Sequence, residues 1–319
     1  MRILSTGIAE PQQVTSSTAL DLALGRPGGC VQRLSGVVTR RFAAPDELQS
    51  ELAATAVRQA AARAGIPLNS IDLLVSASAL PEQPLPNTAC AVLRQLGLSG
   101  VASFDVNNSC LSFMTAFHLA ANLLSARAYR RIAVVSCDLA SRGLDWSEPE
   151  ASLIFGDGAA AIILEAGAGS VDAFVLETYP EGFAHCQIRA GGSLLAKKPL
   201  SEKDALFQME GKSVFKLAAK TLPGVVARAL NQASATLADI DAFVPHQASH
   251  LGLAHMTRLL GLPTERTINI YADHGNQVAA SLPTALHHAF ECGLASQGKR
   301  VMLLGTAAGF SAGAMIVRL

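Results

Sequence analysis

Three short stretches hold residue types that can do covalent chemistry. In VASFDVNNSCLSFMTAFHLA (101–120), a strand-like run from Val101 to Val106 stops at the polar triplet Asn107-Asn108-Ser109. Cys110 then opens an apolar, helix-like run. A helix N-terminus carries roughly half a positive charge and several unpaired N–H groups. Both favour a thiolate, which lowers the pKa and makes the sulfur a better nucleophile, and the same N–H groups can hydrogen-bond an oxyanion. The competing reading is a cysteine that packs as a small apolar residue. In FVPHQASHL (243–251), His246 stands just past a strand ending at Pro245, where α/β proteins assemble their sites; a histidine satisfied within its own loop competes. In YADHGNQVAASLPTAL (271–286), Gly275-Asn276 is a turn signal before a helix. Asn276 either offers N–H donors to a substrate carbonyl or caps that helix. The small-residue stretch GTAAGFSAG (305–313) lets backbone approach something closely.

Other chemistries are disfavoured. The six cysteines are scattered with no CxxC pair, so zinc and dithiol redox chemistry are not expected, nor are disulfides in a reducing compartment. His246 and His250 have HxxxH spacing without the glutamate of a zinc protease, no GKS or GKT follows the glycine-rich segments, and none of them fits GxGxxG. Lys+Arg and Asp+Glu balance at 25 each, so no whole face attracts nucleic acid, although a local basic patch stays open. No apolar run reaches the ~18 residues of a membrane span, and MRILSTGIAEP lacks a signal-peptide core. A cytoplasmic location is expected.

Positioning such residues takes a fold, and the chain suggests one by repeating itself. AATAVRQAAARAGIPLNSIDLLVSAS (53–78) matches LPGVVARALNQASATLADIDAFVPHQ (222–247) as helix, polar turn and buried-type strand. VLRQLGL (92–98) matches MTRLLGL (256–262), each stopping a helix at glycine. SFDVNNSCLSFMTAFHLA (103–120) matches INIYADHGNQVAASLPTALHHA (268–289) as strand, polar loop and helix. RRIAVVSCDLA (130–140) matches GKRVMLLGTAAG (298–309), and GAAAIILEA (158–166) matches GAMIVRL (313–319). Alternating strands and helices predict an α/β protein of two pseudo-equivalent halves with parallel sheets, split near 167–171, as residues 1–169 and 170–319. Packed about a pseudo-twofold axis, the halves would bring the Cys110 loop beside the loop holding His274 to Asn276.

Together FDVNNSCLSF, LIFGDGAAAIIL, VPHQASH, DHGNQVAASLPTAL and the glycine-rich end resemble the thiolase-superfamily condensing enzymes. Among them, the resemblance is to the 3-oxoacyl-[acyl-carrier-protein] synthase III (ketosynthase III) group, and it runs nearly end to end. It implies a thiolase-like fold layered α-β-α-β-α, and a catalytic triad at Cys110 (in the N-terminal half), His246 and Asn276 (both in the C-terminal half). Cys110 would take an acyl group from a thioester, and His246 and Asn276 would hold the enolate left by decarboxylation of a malonyl-type thioester. The product would be a 3-oxoacyl thioester. The resemblance further implies an oxyanion hole from the N–H groups of Cys110 and the Ala308-Gly309 loop, and an acyl pocket near Leu85, Asn108 and Phe155. Carrier or pantetheine binding would fall to Lys212, Lys216, Arg258 and Ser249. It implies no metal and no bound cofactor, with coenzyme A or acyl carrier protein thioesters as substrates, an acyl carrier protein partner and a homodimer.

Some positions depart from the family pattern. Where the family holds adenine between a tryptophan and an arginine, GGCVQRL places Cys30 and Arg33 or Leu34, and Pro149 or a neighbour replaces a second arginine. A carrier-bound donor, or a coenzyme A held differently, is expected. Leu85 is not the glutamate of enzymes that join two long chains. The triplet 107–109 stands where alanines are common and is expected to cap the helix or to shape acyl choice. Simple acyl transfer to oxygen or nitrogen and a non-catalytic dimer partner are the rival readings. The scaffold serves both fatty-acid biosynthesis and polyketide or secondary metabolism.

Overall fold

The computed structural model describes residues 1–191, 193 and 201–319. Its first sheet contains β1 (Arg2–Ala9), β2 (Leu73–Ser76), β3 (Ala102–Asp105), β4 (Arg131–Asp138) and β5 (Gly158–Glu165), in the order β1-β5-β4-β2-β3. The second contains β6 (Ser170–Thr178), β7 (Ala242–Pro245), β8 (Arg300–Ala307) and β9 (Ser311–Arg318), in the order β7-β8-β9-β6. The two orders superpose as one pattern, with β6, β7, β8 and β9 in the places of β1, β2, β4 and β5.

The sheets are mixed, not parallel throughout. β2 runs parallel to β3 and β4, and β7 to β8, but β5 and β9 are antiparallel to their neighbours on both sides. Parallel strands need a long crossover, usually a helix. Only residues 308–310 separate β8 from β9, so that chain returns as a hairpin. Among the described residues the second half also has no counterpart of β3. Around Ile268 the chain makes a single bridge, Thr267 to Phe243, because the Gln247 amide occupies the backbone that a ladder would use. Its Nε2 donates to Pro245 O (2.8 Å) and Ile268 O (3.2 Å), and its Oε1 accepts from Ile270 N (3.1 Å).

Among the described residues, the helices that cover the sheets are α1 (Gln49–Ala64), α2 (Thr88–Leu96), α3 (Ser112–Ser125), α4 (Gly211–Gln232), α5 (His250–Leu259) and α6 (Ser281–Glu291). Successive strand residues face opposite sides, so Leu73 and Val75 of β2 point to one cluster and Leu74 to another. α1 lays Ala53, Ala56, Val57 and Ala60 on the outer face of sheet one, beside Leu74, Val135 and Ile163. α3 and α6 fill the middle, where Phe113, Phe117, Leu282 and Leu286 meet Ile132 and Val134 of sheet one and Val244, Leu303 and Met315 of sheet two. α4 and α5 cover the far face through Leu222, Val225, Val226 and Met256 against Phe243, Met302 and Ile316. The result is a five-layer α-β-α-β-α stack. Both Leu-Gly-Leu stops are visible: Gly97 and Gly261 adopt left-handed φ of 69° and 65° past α2 and α5.

Candidate active site

One cavity of about 2180 Å³ opens between the halves, and Cys110, His246, Asn276, Ala308 and Gly309 all line it. Cys110 sits two residues before α3. Ser109 takes the left-handed φ of 48°, and the triplet ahead of it is spent on making this turn. Asn107 Oδ1 accepts from Ser109 N (2.9 Å), Asn107 Nδ2 donates to Ala79 O (2.9 Å), and Asn108 Nδ2 donates to Thr115 Oγ1 (3.1 Å). No side chain caps the α3 N-terminus. The capping expectation is therefore corrected: these side chains fold the strand–helix corner.

The thiol differs from its sequence expectation too. The nearby backbone N–H groups of Ala308 and of Cys110 itself favour a thiolate. Burial, with the nearby Cys186 and Asp138 groups, outweighs them and pushes the thiol up. The expected lowering by the helix end does not win, because desolvating a charge costs more than two donors return. At neutral pH the resting group is a thiol.

His246 continues the edge of β7, its N–H donating to Leu304 O (2.8 Å). It is 5 % exposed, and burial pushes its pKa down to about 4, so the imidazole is neutral at pH 7. Its Nδ1 has no partner among the described residues. Gly305 on β8 makes this placement possible: a Cβ there would lie 2.6 Å from His246 Cβ. Asn276 is held more tightly. Its N–H donates to Ile154 O (2.8 Å), its carbonyl accepts from Gly156 N (3.1 Å), its Nδ2 donates to Ala248 O (3.1 Å), and its Oδ1 accepts from Val278 N (2.8 Å). The last bond is a local turn contact and not the expected cap, since no side chain caps the helices that follow.

Of the remaining expected residues, Phe155 lines the cavity, edge-on to Phe207 with ring centroids 5.1 Å apart. Exposed Lys212 and Lys216 on α4 and Arg258 on α5 line it toward solvent. So does Ser249, whose Oγ caps α5 by accepting from Gly252 N (3.1 Å). Leu34 and Pro149 are at the same cavity, with Phe183 and Leu251 exposed on its rim, while Cys30 is buried away from it. Leu85 is 84 % exposed. Neither Leu85 nor Asn108 lines the cavity of the single chain, and His274 stays outside it although Asn276 faces in.

Sequence reasoning passed over Gln247, which ties the His246 segment to the stretch before Asn276, and Asp138, which ends β4 at the cavity. The Asp138 carboxylate accepts from Ala79 N (2.9 Å), Leu80 N (3.3 Å) and Ala279 N (3.0 Å), and so joins the two halves. Burial nevertheless pushes its pKa up to about 7. An acid closing the apolar run IAVVSCD was the available signal. Among the described residues, no group of His, Cys, Asp or Glu could hold a metal ion, and no helix is long and apolar enough to cross a membrane.

Two family models match the chain: 3-oxoacyl-[acyl-carrier-protein (ACP)] synthase III over residues 104–180 and its C-terminal part over residues 230–319. The β-ketoacyl-[acyl-carrier-protein] synthase III of Methylococcus capsulatus is 31% identical, with 99% of this chain and 98% of its own covered. That of Rhodospirillum centenum is 34% identical over the same shares. The solved 3-oxoacyl-(acyl carrier protein) synthase III of Pseudomonas aeruginosa superposes with a TM-score of 0.88 at 30% identity, covering 99% of this chain and 97% of that one. A cysteine-bearing corner, a neutral imidazole and a carboxamide share one cavity on a five-layer frame, and the whole length aligns with these enzymes: the chain belongs to the 3-oxoacyl-[acyl-carrier-protein] synthase III family of condensing enzymes.

Proposed function

We propose that Cys110 is the nucleophile of a two-step condensation in which His246 and Asn276 stabilise the enolate. In the first step the sulfur attacks an acyl thioester. The new Cys110–acyl bond forms, the bond to the donor sulfur breaks, and the departing thiolate takes the proton from Cys110. The acyl oxygen carries negative charge at the transition state, and the N–H groups of Cys110 and Ala308 are the donors for it. In the second step a malonyl-type thioester loses carbon dioxide. His246, neutral at working pH, donates its N–H to the enolate oxygen together with the Asn276 amide. The carbanion attacks the acyl-cysteine carbonyl, a carbon–carbon bond forms, and the Cys110 sulfur leaves and regains a proton. The observation that carries this reading is the meeting of Cys110, His246, Asn276 and the Ala308-Gly309 backbone around one cavity.

The substrates of this reading are acyl thioesters of coenzyme A or of an acyl carrier protein, the latter being the carrier that the relatives' names print for those proteins. Lys212, Lys216 and Arg258 are cations placed for an acidic carrier, with Ser249 beside them. The acyl chain runs toward Phe155. The loop carrying exposed Leu85 is the expected contact of a homodimer, where Leu85 would reach into the partner's acyl pocket, and Asn108 is the further acyl-pocket residue of this reading. The halves 1–169 and 170–319 each supply part of the site, and the cytoplasm is its expected location.

Intact-protein mass spectrometry with a panel of acyl thioesters tests the assignment. Cys110→Ala should show no covalent acyl adduct. His246→Ala and Asn276→Ala should acylate normally and condense about 10²–10³-fold more slowly, the usual cost of removing one charge-stabilising donor. An adduct on Cys110→Ala places the nucleophile elsewhere; wild-type condensation by Asn276→Ala removes its enolate role.

A further inference from the structure

Two residues before Asn276, the chain is anchored by an ion pair that the two-step mechanism does not use. His274 ends the short helix Tyr271–His274. Its Nδ1 lies 3.0 Å from Ile270 O, and its Nε2 lies 3.1 Å from Glu10 Oε1, just past β1. A carbonyl and a carboxylate can only accept, so both ring nitrogens must carry protons and the ring is an imidazolium. The two side chains are 14% and 22% exposed.

The other groups around it sharpen this picture. Arg41 Nε approaches the second Glu10 oxygen at 3.4 Å. On α6 the His288 ring stands edge-on to His274 at 5.2 Å, its buried Nε2 without a partner among the described residues. His287 beside it bonds Thr6 Oγ1 at 2.7 Å, and Glu291 is paired with Arg63 at 2.7 Å. Asp273 is the neighbouring acid on the helix itself. Asp157 spends its carboxylate on Ala43 N and Ser141, and Arg40 turns its guanidinium to Leu153 O and Ser17 Oγ. Glu10 is therefore the carboxylate that neutralises His274. On its other side the loop rests on backbone: a Cβ at Gly156 would meet His274 O at 2.1 Å, and residues 154–156 exchange two hydrogen bonds with Asn276.

We propose that Glu10 and His274 form a positioning pair which, acting through the Asn276 loop, sets the carboxamide for condensation and makes that step pH-dependent. This rests on the assignment of Asn276 above. Burial opposes the charge on His274, but Glu10, the Ile270 carbonyl and Asp273 outweigh it and hold the proton above the ordinary value of 6.5. The hydrogen bond from His274 holds Glu10 below its ordinary 4.5. The pair is intact between those limits. It is lost as pH rises through the raised His274 pKa and as pH falls through the lowered Glu10 pKa.

The test uses the full chain with Cys110 already acylated, and measures condensation with a malonyl carrier thioester from pH 5.5 to 9. Wild type should show an alkaline fall in rate. Glu10→Gln should acylate like wild type, condense about 10-fold more slowly at pH 7, and move that fall to lower pH, because the main support of the His274 proton is gone. Asp138, with its pKa of about 7, is untouched by this change, so a fall that stays in place belongs to it and overturns the proposal. So does a wild-type rate with no alkaline fall, which needs no variant to fold. Asn276→Ala and the double variant separate the two readings. If Glu10→Gln has no further effect in the Asn276→Ala background, it acts through Asn276; if the two losses multiply, it does not. An Asn276→Ala enzyme that condenses normally overturns the enolate assignment and this inference with it, whereas a slow Asn276→Ala beside an unaffected Glu10→Gln overturns this inference alone.

Discussion

A cysteine placed before a helix is usually expected to be acidic, and here burial reverses the sign. The Ala308 and Cys110 N–H groups favour a thiolate, yet the Cys110 thiol sits above the ordinary range because burial desolvates it. In the proposed mechanism these N–H groups serve the substrate oxygen, whose charge appears only in the transition state. Alkylation of Cys110 by iodoacetamide should rise about tenfold per pH unit from pH 6 to 9, and a plateau in that range would show a low-pKa thiolate. In the proposed mechanism His246 complements the thiol: with a pKa of about 4 it would enter the reaction uncharged, so no titration of His246 should be visible in the rate above pH 6.

At the scale of elements, the site depends on backbones that approach closely. β8 passes behind His246 at Gly305, where a methyl group has no room. Gly305→Ala must move the imidazole by a fraction of an ångström or more. It should slow condensation at least about tenfold, since misplacement near 1 Å can cost 10²-fold, while Cys110 still acylates. Steady-state and single-turnover assays on this variant separate those steps. The Gln247 amide works in the same way for the opposite wall, replacing a missing strand and carrying the chain from β7 to the Asn276 loop.

For the whole molecule, the central layer joins the halves. Phe113 and Phe117 of α3 pack against residues of both sheets in one cluster, so neither sheet has a closed core without the other. Phe117→Ala should cost about 3–5 kcal/mol and lower the stability of both sheets together, seen as one denaturation transition shifted to lower denaturant. Two separate transitions would mean that the halves fold independently. The proposed homodimer belongs to this scale as well: sedimentation should give twice the 33.2 kDa of the chain, and Leu85→Glu should reduce it toward the monomer.

The order of elements, the duplicated halves, the helix stops at Gly97 and Gly261 and the candidate trio of Cys110, His246 and Asn276 were legible in the sequence. Each follows from local pattern: hydrophobic period, turn residues and a reactive type at a strand or helix end. Strand direction was not legible, because the return of β5 and β9 as antiparallel neighbours depends on which connections lack a crossover helix. The missing partner of β3 was hidden in one glutamine amide that takes over a ladder. The protonation of Cys110, His246, Asp138 and His274 was out of reach for the same reason. A pKa is set by what surrounds a group, and those surroundings come from segments more than a hundred residues apart that only the packed layers bring together.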